Sequence, residues 1–157
     1  MSDDPTPNVP SDGWRHSGVR VIPAGELDPN TPQTPGMNRA AAINAARVGA
    51  QKIWAGTVSI HANAKTGAHH HGALESVIYV VRGKARMRWG EHLEFVAEAE
   101  PGDFIFVPPY VPHQEINASS DETLVDILQA TLEHSLLAQQ EIELAGRIHL
   151  LGVLAPF

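Results

Sequence analysis

The sequence predicts an all-β fold, an antiparallel sandwich or barrel, on three observations. Between Gln51 and about Leu128, short apolar runs end in Gly, Pro, Asn or charged turns roughly every 8–12 residues, the spacing of a many-stranded sheet. The runs are rich in β-branched and aromatic residues, as in Ile53-Trp54-Ala55-Gly56-Thr57-Val58-Ser59-Ile60. The imidazoles and carboxylates that bear on chemistry sit inside these β-prone stretches.

Taken in order, residues 1–36 form an arm. Pro5, Pro7, Pro10, Pro29, Pro32 and Pro35 forbid long regular elements there, and Val19-Arg20-Val21-Ile22 is read as one short strand. The arm has the character of a wrap around the barrel or a second subunit, or of a tail. Residues 37–50, with six alanines between Ala40 and Ala50, have helix-favouring composition. Strands are expected at Ile53 to Ile60, Ser76 to Val81, Ala85 to Trp89, Leu93 to Ala97, Phe104 to Val107 and Thr123 to Leu128. Beyond Ala130 the pattern changes to a short helix over Leu132 to Leu144 and a strand in the apolar Ile148 to Phe157. The organisation expected is therefore an arm, 1–36, and a single barrel domain, 37–157, with its core motifs in 50–128.

The chain's 157 residues suit one domain with one core. With 11 basic and 18 acidic residues the net charge is −7, which argues against nucleic acid or an anionic membrane as partner. No apolar run approaches the roughly 18 residues of a membrane helix, and Met1-Ser2-Asp3-Asp4-Pro5 lacks the blocks of a signal peptide. There are no cysteines, so a metal site must use His, Asp, Glu or water. A cytoplasmic location is the expectation.

Two stretches carry the candidate chemistry. In His69-His70-His71, residues two apart on a strand leave the same face, so His69 and His71 offer two imidazoles of a chelate while His70 points away. Glu75 follows the Gly72-Ala73 turn and can close that chelate from the next strand. The other stretch is Pro108-Pro109-Tyr110-Val111-Pro112-His113, a stiff segment that fixes where His113 points; Glu115 and Asn117 share its parity. On the strand after Arg82-Gly83-Lys84, either Arg86 and Arg88 or Met87 and Trp89 line the interior.

These stretches resemble the two motifs of the cupin superfamily, most closely its small single-domain members of unassigned activity. The second motif is Gly, five residues, Pro-x-Gly, two residues, His, three residues, Asn. Gly102, Pro108, His113 and Asn117 stand at that spacing, with Tyr110 in place of the middle Gly. The first motif is Gly, five residues, His-x-His, three or four residues, Glu, six residues, Gly. Here Asn63 occupies the leading Gly position, His69 and His71 match, and Gly83 closes the motif. Counting three residues on from His71 gives Glu75; counting four, or back six from Gly83, gives Ser76. A bulge before Gly83 would keep Glu75 inward, and without one the site is a three-histidine site.

The resemblance implies a cupin-type antiparallel double-stranded β-helix, a jelly-roll barrel. It implies one divalent transition metal (Fe, Mn, Ni, Zn or Co) on His69, His71, Glu75 and His113. It further implies a small-molecule ligand or substrate and a homodimer. The activity expected is metal-dependent chemistry on a small polar molecule, of dioxygenase, isomerase or lyase type. The alternative is a non-catalytic cupin that binds or senses a small molecule.

Overall fold

Alternation of buried and exposed side chains runs along most strands of the computed structural model, which describes residues 18–131. The strands are β1 (Met37–Ile43), β2 (Ile53–Ile60), β3 (Ser76–Arg82), β4 (Ala85–Trp89), β5 (Phe95–Ala99), β6 (Phe104–Val107), β7 (His113–Asn117) and β8 (Leu124–Thr131). All pair antiparallel, in a five-stranded sheet of order β1-β2-β8-β3-β6 and a three-stranded sheet of order β5-β4-β7. The two sheets make a jelly-roll β-barrel, the fold class the strand spacing predicts.

Period-2 patterning determines what the interior holds. Met37, Val58, Ile60, Val80, Ala85, Ala99 and Leu124 form one buried cluster, and Ile78, Met87 and Val107 a second. Burying a side chain of Val, Leu, Ile or Met size contributes about 1.5–3 kcal/mol relative to exposure, so these residues set the strand register. Gly56 fits the same logic by being small: a Cβ there would run into the Ala40 carbonyl oxygen and lie 2.8 Å from the Trp54 ring.

The helix expected within 37–50 is a correction. Residues Met37–Ile43 are strand β1, paired to β2 from Met37↔Ile60 onward, and only Ala45–Val48 form a single helical turn, α1. Alanine's helical preference is worth tenths of a kcal/mol per residue, less than burial of Met37 and Ala41 and a full ladder of hydrogen bonds. Asn44 caps the turn, its side chain accepting from the Arg47 N–H, and Gly49 ends it at φ 72°. The strand expected at Val19 to Ile22 is absent; that segment is irregular and followed by a 3₁₀ turn, Ala24–Glu26. The fifth strand sits two residues later than expected, at Phe95–Ala99 instead of Leu93 to Ala97. The helix and strand expected after Ala130 lie outside the described residues.

Four backbone positions explain the motif glycines. Gly83 and Gly102 have φ of 87° and 100°, and a Cβ on Gly83 would sit 2.9 Å from Leu124 Cα. The two departures adopt the same left-handed conformation: Asn63 at φ 62° and Tyr110 at φ 59°. Asn tolerates this region well, whereas Tyr110 is a strained choice on an exposed turn.

Candidate metal centre

The segment preceding β3 runs antiparallel along the free edge of β7, and this brings the two motifs together. Thr66 N–H donates to Glu115 O (2.8 Å), and Asn117 N–H to Ala64 O (3.0 Å). His69 and His113 exchange both backbone bonds, N–H to O at 3.0 and 2.8 Å, so they stand directly opposite each other. His71 follows on the same face. The donor atoms of His69, His71 and His113 all lie within 4.8 Å of one another.

Each ring is tethered through Nδ1. The His69 Nδ1–H donates to Gly67 O at 2.9 Å and the His113 Nδ1–H to Val111 O at 2.9 Å. His71 Nδ1 lies 2.7 Å from Ser76 Oγ. A nitrogen that donates to a carbonyl carries the ring proton, so Nε2 carries the lone pair, and a fixed tautomer is what a ligating histidine requires. Burial lowers the His113 pKa below its ordinary range, which keeps this ring neutral near pH 7; the Val111 carbonyl acts against that shift. Three oriented imidazoles, in a chain with no cysteine, fit a first-row divalent metal.

The other expected residues are placed as follows. His70 is exposed and outside the close group of donors, its Nδ1 accepting from the Gly72 N–H at 3.0 Å and its ring 6.1 Å from that of Tyr110. Glu75 is exposed just before β3 and lies outside the close group of donors. Ser76 takes the inward position instead, 1% exposed, and Ile78 and Val80 follow it inward. β3 does carry an irregularity before Gly83, between Val80 and Arg82, where the motif's extra residue is absorbed, while Ser76, Ile78 and Val80 face inward ahead of it. The close group of donors is the three histidines, with Ser76 Oγ against His71 Nδ1.

On β4 it is Met87 that faces inward. Arg86 pairs with Glu98 through Nη2 at 2.7 Å and Nε at 3.0 Å, and Arg88 Nε donates to Leu93 O at 2.9 Å, so neither arginine lines the interior.

The cavity beside the histidines holds three charged residues to which sequence reasoning assigned no function. Arg39 on β1, Glu115 on β7 and Asp126 on β8 line it together with His69, His71 and His113. Arg39, Val58, Asp126 and Val80 form one row across β1, β2, β8 and β3. Glu115 faces them from the three-stranded sheet, on the inward parity it shares with His113. Burial pushes the Asp126 carboxyl up to about 9, reinforced by Glu115. Burial likewise raises the Glu115 pKa and lowers that of Arg39. Two ionised carboxylates offer each other no donor; a proton on one supplies it, and burial favours that proton. The signal for Asp126 was present in Leu124-Val125-Asp126-Ile127-Leu128, a charge at the inward parity of an apolar strand.

No helix among the described residues is long and apolar enough to cross a membrane. Residues 56–128 match the model of the Cupin domain family. No curated protein matches the chain. Among solved structures, the chain is similar to the polyketide cyclase RemF from Streptomyces resistomycificus, at 19% identity and a TM-score of 0.62, covering 73% of this chain and 80% of that one. An RmlC-like cupin from Shewanella frigidimarina is 19% identical with a TM-score of 0.56, covering 72% of this chain and 91% of that one. A conserved protein with a double-stranded β-helix domain from Klebsiella pneumoniae is 16% identical with a TM-score of 0.57, covering 72% and 90%. At these identities the likeness is one of fold.

Proposed function

This chain is a small protein of the cupin superfamily, and from that premise we propose that it holds one divalent transition metal on His69, His71 and His113 and acts on a small polar molecule. The observation that carries the reading is the convergence of three imidazoles within 4.8 Å, each tethered through Nδ1 to Gly67 O, Ser76 Oγ or Val111 O. Iron, manganese, nickel, cobalt and zinc all accept such nitrogen donors. When bound, such an ion supplies Lewis-acid or oxygen-activating chemistry, the basis of dioxygenase, isomerase or lyase activity. The chain's own residues hold His69 and His113 in one tautomer, orient His71 against Ser76, keep His113 neutral by burial, and place Arg39, Glu115 and Asp126 beside them.

A second reading, a non-catalytic cupin that binds or senses a small molecule, is favoured by a serine, Ser76, standing against His71. Metal analysis of purified protein tests what the two share. About one metal per chain is expected; less than about 0.2, with no gain in Tm on adding Fe(II), Mn(II) or Ni(II), would overturn it. Turnover of small oxygenated compounds by the loaded protein then separates enzyme from binding module.

A homodimer belongs to the same proposal. The outer face of β3, β6 and β8 aligns Phe106 with Val77, and Phe104 with Tyr79 and Ile127; Phe104 and Phe106 are 72% and 58% exposed. An apolar face on an edge strand of this kind is what a second copy would cover. Light scattering that gives a monomer mass removes the dimer. A cytoplasmic setting, the default for a chain without cysteines, completes the proposal.

A further inference from the structure

The inner end of the cavity is polar in a way the three histidines do not account for. Asp126 and Glu115 are 1% and 7% exposed and hydrogen-bond to each other once one of them holds a proton, which leaves an Asp126 oxygen and Arg39 Nε without a partner. Buried polar atoms in folded proteins nearly always have one, in protein or in ordered water. Two such atoms, on β8 and β1 and lining one cavity with Glu115, mark a binding site.

Size and chemistry narrow the occupant. The cavity measures ≈ 20 Å³, and a water molecule needs roughly 10–15 Å³ on the same measure together with two to four polar partners. There is therefore room for at least one hydroxyl-sized group. With the proton of the carboxyl pair held between Asp126 and Glu115, it accepts from the Arg39 Nε–H and donates to the second Asp126 oxygen. A carboxylate or phosphate only accepts, an ammonium only donates, and a second metal cation would face the Arg39 guanidinium. An oxygen bearing a hydrogen does both.

We propose that Arg39, Glu115 and Asp126 form a subsite for one O–H-bearing oxygen, filled by water in the ligand-free protein and by a hydroxyl group of a small hydroxylated ligand when that ligand is bound. His113 and Glu115 are alternate residues of β7, roughly 6.5–7 Å apart along the strand. The subsite therefore adjoins the histidine group, and the ligand's second oxygen, on a neighbouring carbon, faces His69, His71 and His113. An α-hydroxy carbonyl compound has this arrangement. The inference rests on the metal-binding reading above, because that second oxygen is the atom presented to the metal.

Mn(II)-loaded full-length protein provides the test, read by relaxation of the methyl protons of hydroxyacetone and of acetone. Hydroxyacetone should bind at least about tenfold more tightly, since a site built to hydrogen-bond a hydroxyl discriminates strongly against the analogue lacking it. Asp126→Leu should bring the two ligands within about twofold, with circular dichroism confirming the fold, and Arg39→Met should do the same if the leucine variant does not fold. A preference that both folded variants retain overturns the subsite. A high-resolution crystal structure of the unliganded protein distinguishes the two sources of the oxygen. Water on Asp126 and Arg39 with no hydroxyacetone preference upholds the subsite and overturns the hydroxylated ligand. Neither water nor preference overturns both. Failure to take up Mn(II) overturns the metal reading instead, and the water then decides the subsite alone.

Discussion

Ser76 offers the sharpest test of the site because it and Glu75 compete for one position of the motif. Its Oγ lies 2.7 Å from His71 Nδ1 in a setting where Ser76 is 1% exposed, so water cannot readily replace it. A hydrogen bond of this kind contributes about 0.5–1.5 kcal/mol, and removal of a partner that orients a ligating histidine costs roughly 10–100-fold in metal affinity. At about 1.4 kcal/mol per factor of ten, the two ranges meet near tenfold. Ser76→Ala should therefore weaken Co(II) binding about tenfold, measured by competition with a chromophoric chelator at fixed pH, with little change in Tm. Glu75→Gln should leave affinity within about threefold, below even an indirect partner's effect. Tenfold or greater loss in Glu75→Gln together with none in Ser76→Ala would refute the inward placement of Ser76 and restore a carboxylate ligand.

Three further outcomes follow from the same geometry. His113→Ala should abolish stoichiometric metal uptake, whereas His70→Ala, outside the donor group, should leave it within about twofold by the same titration. The Asp126 pKa is raised from its ordinary 3.8 to about 9, so the folded metal-free protein holds a proton that the unfolded chain has lost over that interval. Its contribution to stability is fully present below the unfolded value and is lost as pH rises toward about 9; Glu115 shifts in the same direction. Urea midpoints of metal-free protein should accordingly fall from about pH 5 to about pH 8, and fall less in Asp126→Asn. Gly56→Ala should cost about 1–3 kcal/mol by urea denaturation, because its Cβ meets the Ala40 carbonyl oxygen and the Trp54 ring within a well-paired sheet.

How much of this was legible in the chain varies with how local the determinant is. The strands from β2 to β6 are set by alternation and turns within each segment, and the pairing of His69 with His71 follows from period 2 alone. His113 is fixed by a proline-stiffened approach that can be read residue by residue. The motif positions 63 and 110 were legible as departures from glycine, but only the backbone shows that Asn63 and Tyr110 keep the left-handed conformation glycine serves. β1 was misread because its alanines carry a helical preference, while the ladder to β2 that overrides it is a contact between distant segments. The choice between Glu75 and Ser76 was not decidable from spacing, since a single bulge shifts parity, and the position of that bulge depends on how β3 pairs with β8.

Arg39, Glu115 and Asp126 were the least legible, for each is ordinary on its own strand and they meet only through the register of β1, β2 and β8 and the facing sheet. Their energetics argue for what they do. Apolar residues of similar volume in place of buried charges are often neutral or stabilising, and the rows on either side of Asp126, Met37–Ile60–Leu124 and Ala41–Gly56–Leu128–Ile78, are apolar already. A chain optimised only for stability would continue them. Asp126→Leu should therefore leave the metal-free protein as stable as the parent or more stable at neutral pH, by urea midpoint, while abolishing discrimination between hydroxyacetone and acetone. A leucine variant destabilised by more than about 2 kcal/mol would instead make the carboxyl a structural element, and its place beside the three histidines incidental.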